Sequence, residues 1–178
     1  MKKFLLFIWE ITKIAIIALI IVVPIRAFVF QPFFVRGASM EPNFHDFDYL
    51  IVDEISYRFR QPHRGDVIVF YNPNNNSQRF IKRVIGLPGE TIRVSEGKVS
   101  IKQNAGDDFF ILNEAAYLSE NVKTPGNREM FLEQGQYFVM GDNRGVSLDS
   151  RSFGALEEDL LIGKESFRLW PLTILANH

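Results

Sequence analysis

The sequence predicts a mainly β domain carried behind a single apolar amino-terminal helix. Three observations predict it. The one long apolar run is confined to residues 4–30, and helical periodicity is scarce after it. From residue 49 onward, β-branched and aromatic runs alternate with Gly, Pro and Asn turns at roughly 8–12-residue spacing. Residues 103–128 break this rhythm with polar, irregular sequence, which predicts an inserted cap or flap rather than a second domain.

Met1-Lys2-Lys3 precedes the apolar run, which is interrupted by Glu10, Thr12, Lys13 and Arg26. A helix from about Phe4 to Arg26 would be roughly 35 Å long, enough for a hydrocarbon core of about 30 Å. Glu10 and Lys13 are placed to pair on one helical face, and Lys13 can reach toward an interface. Lys2 and Lys3 predict an inside amino terminus, with the rest of the chain outside. No pair of small residues two apart follows in Arg26-Ala27-Phe28-Val29-Phe30, which favours a retained anchor over a cleaved leader. Residues 1–30 are thus expected to be a cytoplasmic tip and single-pass membrane anchor, and residues 31–178 an extracytoplasmic domain.

Pro32 is expected to end the helix, with Phe33-Phe34-Val35 extended behind it. Tyr49–Val52 predicts a short strand, and Gly65-Asp66 a turn leading into a strong strand at Val67–Tyr71. Asn72–Ser77 is a loop by composition. Arg79–Ile85 predicts the next strand, stopped by Gly86-Leu87-Pro88-Gly89. Thr91–Val94 and Lys98–Ile101 predict a hairpin around Glu96-Gly97. Tyr137–Met140 predicts a strand running into Gly141-Asp142-Asn143-Arg144, and Glu165–Leu169 a closing strand before Trp170-Pro171.

Composition narrows the function. The chain has 178 residues, 47% apolar and 23% charged, which suits one folded domain plus a membrane segment. With no cysteine, disulfides, thiolate metal sites and a cysteine nucleophile are excluded. Residues 1–36 carry a net charge of +4 and the remainder −5. The folded part therefore lacks the basic balance of a nucleic-acid binder. No compact His/Asp/Glu spacing predicts a metal, no glycine loop predicts a phosphate, and no cofactor is expected. His45 and His63 lie in polar loops and His178 at the end, so a Ser-His-Asp triad is a poor expectation. Arg64-Gly65-Asp66 is taken as a turn, not an adhesion motif.

Ser39, in Gly37-Ala38-Ser39-Met40-Glu41-Pro42, is the candidate nucleophile. Lys82 is its candidate base. In an extended Phe80–Ile85, Lys82 shares a face with Phe80 and Val84, while Arg83 takes the other, so one of the two cations is expected to turn inward. A lysine on an apolar face loses hydration, which lowers its pKa and suits it to accept a serine proton. Gly141–Arg151 packs acids, amides, serines and arginines into one loop, with Asp149 and Arg151 on the same side of an extended chain. Such density predicts a buried polar network.

The anchor, Ser39-Met40-Glu41-Pro42, Arg64-Gly65-Asp66-Val67, Lys82-Arg83-Val84-Ile85-Gly86-Leu87-Pro88-Gly89-Glu90 and Gly141-Asp142-Asn143-Arg144…Ser147…Asp149-Ser150-Arg151 occur in order. Together they resemble the bacterial type I signal peptidases, of the short one-anchor form common in Gram-positive bacteria. The resemblance implies a Ser39/Lys82 dyad on a β scaffold at the outer membrane face. It implies that Ser147 orients the lysine amine, that Asp149 and Arg151 form a supporting pair, and that Asp142 braces their loop. The backbone N–H of Ser39 would serve the oxyanion hole. Gly37 occupies the position where some members supply a hydroxyl donor, and Asn43 replaces the usual threonine.

Implied substrates are exported preproteins with small residues at −1 and −3, taken up extended along a strand edge beside the secretion translocon and the lipid bilayer. Two other functions fit parts of the sequence. One is a narrow-specificity maturation protease of the same family. The other is a non-catalytic assembly factor, against which the retained Ser39 and Lys82 argue.

Overall fold

The computed structural model describes residues 2–28 and 30–170. Helix α1 (Lys2–Phe28) is followed by β1 (Phe30–Phe34), β2 (Tyr49–Asp53), β3 (Val67–Asn72), β4 (Asn75–Gly86), β5 (Thr91–Ser95) and β6 (Lys98–Lys102). Then come β7 (Phe110–Ile111), β8 (Arg128–Phe131), β9 (Gln136–Met140), α2 (Ser150–Phe153), β10 (Leu156–Glu157) and β11 (Leu161–Trp170). The mainly β expectation holds.

The helix forms where the sequence predicts it. Among the described residues, however, no helix is long and apolar enough to cross a membrane. Glu10 and Lys13 pair at 2.8 Å on its surface. The helix ends before Pro32, which lies inside β1 opposite Ile51. Pro32 does not terminate the helix as expected. It is tolerated in a strand because β1 is the edge of its sheet, with one side free of any ladder.

Seven strands form one sheet in the order β1-β2-β11-β3-β4-β9-β10, and four form a second in the order β7-β6-β5-β8. The most strongly β-branched strand, β3, takes the centre of the larger sheet and is buried on both faces. Val67 and Val69 join Val35, Met40 and Leu50 in one core, while Ile68 and Phe70 join Val84, Tyr137 and Val139 in another. A third core, including Ile85, Ile92, Ile101 and Phe138, packs residues of the larger sheet against the smaller one.

Asn72–Ser77 is not a free loop. Asn72 pairs with Asn75 across a tight turn, the Asn72 side chain accepting from Asn74 N–H at 3.0 Å, and β4 begins at Asn75. Asparagine serves tight hairpin turns as readily as loops, so composition alone did not separate the two. The hairpin around Glu96-Gly97 is present in register, with positive φ at both turn residues.

Residues 103–128 are largely irregular but contribute β7 to the smaller sheet, and Arg128 already belongs to β8. The sequence did not predict β7, β8 or β10. Such two- to four-residue strands have no period to detect; their partners create them.

A candidate serine–lysine catalytic site

Ser39 lies in the loop joining β1 to β2. The loop closes through Val35 N–H to Asp48 O at 2.9 Å, Phe47 N–H to Val35 O at 3.0 Å and Gly37 N–H to the Asp46 carboxylate at 2.8 Å. Met40, fully buried beside Ser39, fixes the segment to the core. Gly37 has φ of 84°, a left-handed conformation that side chains rarely adopt, and a Cβ there would meet nothing. The cleft is therefore open where a neighbouring hydroxyl could have stood. Among the described residues the Ser39 N–H donates to no protein acceptor. The Ser39 carbonyl is held by the Asn143 N–H at 3.0 Å.

Strand β4 brings Lys82 to this loop. Its Nζ lies 2.7 Å from Ser39 Oγ and 2.8 Å from the Ile81 carbonyl, and it sits over the Phe80 ring at 5.2 Å. Lys82 is 3% exposed. Burial pushes its amine down to about 8, against the opposing pull of Asp149 and Asp142. A neutral amine at hydrogen-bonding distance from a serine hydroxyl can take its proton.

The expectation that either Lys82 or Arg83 would turn inward is corrected. Arg83 is also largely withdrawn from water, and its guanidinium grips Asp142 at 2.6 and 2.8 Å. It also donates to Gly65 O at 2.8 Å and stacks on Tyr117 at 4.3 Å. Alternation assigns the two side chains to opposite faces, but here both faces are covered. Asp142 accepts a further bond from Asn43 at 2.8 Å, and Asn43 also donates to Tyr117 O at 2.7 Å. Asp142 thus joins β4, the Ser39 loop and the loop after β9.

Asp149 caps α2 and binds Arg151 through Nε at 2.9 Å and Nη2 at 2.8 Å, while the Gly141 N–H donates to it at 3.1 Å. Burial alone would raise its carboxyl. Arg151, Gly141 and the neighbouring Ser147 hydroxyl outweigh burial and hold it below the ordinary value.

Ser147 is the residue whose placement departs from expectation. Lys82 takes its second acceptor from its own strand, at Ile81 O, and no hydrogen bond joins it to Ser147. Ser147 Oγ is buried and lacks a hydrogen bond of good geometry, although Asp149 feels it. It packs against Gly141, where a Cβ would meet Ser147 Oγ at 2.2 Å and Ser39 O at 2.3 Å. Gly141 therefore lets the two serine segments close on each other.

Sequence reasoning missed Arg144 and Glu114. The Arg144 guanidinium, 1% exposed, forms a double bond pair with Glu114 and donates to Thr124 Oγ1 at 2.5 Å and Gly141 O at 3.1 Å. Arg151 also donates to Pro125 O at 3.0 Å. Residues 114–125 thus grip the Gly141–Arg151 loop. An irregular polar stretch carries no signal of such pairing, because the partners are distant in sequence. His45 and His63 are exposed and line no part of the Ser39 cleft, and His178 and Pro171 lie outside the described residues.

A cleft of about 900 Å³ opens over Ser39 and Lys82, walled by Phe33, Phe34, Phe80, Ile81, Val146 and Leu148. Strand β4 pairs with β9 only over Arg83–Gly86, so its Asn75–Lys82 stretch keeps one unpaired edge. No group of His, Cys, Asp and Glu among the described residues could hold a metal ion.

A family profile described as signal peptidase, peptidase S26, matches residues 8–170. The chain is 38% identical over 169 residues to the probable signal peptidase I-2 of Synechocystis sp., covering 92% of this chain and 73% of that one. It is 32% identical over 167 residues to signal peptidase IB of Staphylococcus aureus, covering 88% and 86% of the two. A crystal structure of a signal peptidase I from Enterococcus faecalis aligns at a TM-score of 0.48 and 31% identity, over 60% of this chain and 98% of that one.

Proposed function

This chain belongs to the peptidase S26 family of signal peptidases, and from that premise we propose that it cuts exported preproteins with Ser39 as nucleophile and Lys82 as general base. The family assignment makes it a type I signal peptidase, which removes signal peptides. The observation that supports the dyad is the 2.7 Å approach of a buried, readily deprotonated amine to the Ser39 hydroxyl.

The neutral Lys82 amine accepts the Ser39 proton as Oγ attacks the scissile carbonyl. The resulting oxyanion meets the Ser39 N–H, a donor already oriented and free of protein partners. The Lys82 ammonium then protonates the leaving amine, which departs as the mature amino terminus. The Ser39 ester stays on the signal-peptide side. Water, losing its proton to the regenerated amine, hydrolyses the ester to a carboxylate and restores Ser39. Asp142, Asp149, Arg151 and Ser147 touch no reacting atom in this scheme; they position the loop against Ser39 and Lys82.

The substrate lies extended along the free edge of β4, its backbone completing the ladder. The apolar walls beside Ser39 suit small uncharged side chains at −1 and −3. Helix α1 seats the enzyme at the membrane. Its described apolar side chains, such as Phe4, Ile14 and Ile20, are exposed along its length, and the Glu10–Lys13 pair lessens the cost of burying two charges. Preproteins leaving the secretion translocon would meet the site on that outer surface, where confinement raises effective concentration.

Ser39→Ala and Lys82→Ala should each abolish cleavage of a preprotein carrying an Ala-x-Ala site. Full activity in either variant overturns the dyad. Release of the intact protein from membranes by alkaline carbonate would overturn the anchor while leaving the dyad standing.

A further inference from the structure

We propose that Arg36 and Arg79 select peptides carrying an acidic side chain a few residues from the bond to be cut. This inference rests on the Ser39 cleft being the peptide site. Both arginines line that cleft, and no aspartate or glutamate does so among the described residues. Arg64, Arg83, Arg93, Arg144, Arg151 and Arg168 each meet a carboxylate within ion-pair distance. Among the described residues, Arg36 and Arg79 meet none; Arg58, Arg60 and Arg128 also meet none but do not line the cleft. The Arg79 guanidinium lies 5.7 Å from the centre of the Tyr71 ring, a contact that does not neutralise its charge. Arg79 also lines the adjoining pocket, where Glu54 feels its charge and Glu158 stands on the same wall, but it forms an ion pair with neither.

The setting makes this charge unusual. Residues beyond 36 carry a net charge of −5, so the domain as a whole repels acidic peptides. Two cations collected in one concave site reverse that field locally, and a cleft with apolar walls focuses it. Arg36 stands three residues before Ser39, and Arg79 three before Lys82. On β4 the extended Arg79–Lys82 separation spans about 10 Å, whereas Arg36 reaches Ser39 through the turn at Gly37, so a complementary carboxylate falls within about four residues of the scissile bond.

The test uses the full-length enzyme in neutral detergent and peptides with one Ala-x-Ala site. Paired peptides carry Glu or Gln at −4, −2, +2 or +4, and kcat/KM is compared within each pair. At low ionic strength the parent enzyme should favour Glu by about fivefold at one position or more. That ratio should shrink with added salt and approach one in the Arg36→Gln/Arg79→Gln variant. Because it is a ratio within one enzyme, a general loss of activity does not affect it, and the parent's salt dependence stands even if the variant fails to fold.

Equal cleavage of every pair by the parent overturns the inference, as does a preference that survives both substitutions. An effect of the substitutions seen only with phosphatidylglycerol vesicles, equal for Glu and Gln, overturns it in favour of lipid headgroups. If the parent cleaves none of the peptides, Glu or Gln, the peptidase reading of the cleft fails as well.

Discussion

Lys82 and Arg83 are neighbours on β4, and both cations are withdrawn from water, on opposite faces of one sheet. They meet different surroundings. Lys82 faces a serine hydroxyl and a carbonyl, with no carboxylate in contact, so burial depresses its amine. Arg83 faces Asp142 and is held by it in a two-point grip. One residue is poised to exchange a proton; the other holds the frame that aims it.

The Lys82 amine, pushed down to about 8, fixes the sign of the pH dependence. Only the neutral form accepts the Ser39 proton. kcat/KM should therefore rise about tenfold per pH unit below 8 and level off above it. A flat profile from pH 6 to 10 under chemistry-limited conditions would contradict the lysine base.

The same shift predicts a stability effect. Between about pH 8 and 10.5 the unfolded chain binds more protons than the folded one, so stability rises with pH across that window. Below it the folded state carries the full penalty of a buried ammonium. Lys82→Met should thus stabilise the fold at pH 7 by at most on the order of 3 kcal/mol, seen as a higher melting temperature, and gain nothing above pH 10.5. Thermal unfolding at both pH values measures it.

Asp142→Ala leaves the buried Arg83 guanidinium without its carboxylate. The expected loss is about 3–5 kcal/mol in urea unfolding, with cleavage activity falling in parallel. Adding Arg83→Met should recover much of the stability. A double-mutant cycle that returns purely additive losses would contradict the coupling.

Glu114→Gln weakens the grip of residues 103–128 on the Gly141–Arg151 loop by removing the charge that meets Arg144. Amide exchange should accelerate in residues 141–151, and kcat should fall more than KM rises. Unchanged exchange in that loop would show that the grip plays no part in ordering it.

Gly141→Ala would force a methyl group into Ser39 O and Ser147 Oγ. Displacing the nucleophile's segment by a fraction of an ångström should lower kcat by about 100-fold with KM little changed. Peptide cleavage kinetics on folded variant protein decide it.

Much of the fold was legible because β3, the β5–β6 hairpin and β9 carry strong local signals of β-branched runs and turn residues. The departures came where neighbours outweigh local preference. Pro32 sits in a strand because β1 is an edge. Asn72–Asn75 became a hairpin because β4 extends to meet β3. The pattern rule that one side of β4 must face water failed at Arg83, because the other face is covered as well. Ser147 was expected at the lysine amine, yet the Ile81 carbonyl takes that acceptor role.

By itself the sequence determined the residue types available for the chemistry: a serine, a lysine on an apolar-patterned strand and a dense polar loop. It also excluded thiols, because no cysteine is present. Only the tertiary structure decided which groups meet. Ser39 and Lys82 are 43 residues apart, Arg83 and Asp142 are 59, and Arg144 and Glu114 are 30. Side-chain period and propensity act over a few residues. Contacts at these separations are set by strand order and by which faces of the sheets are covered.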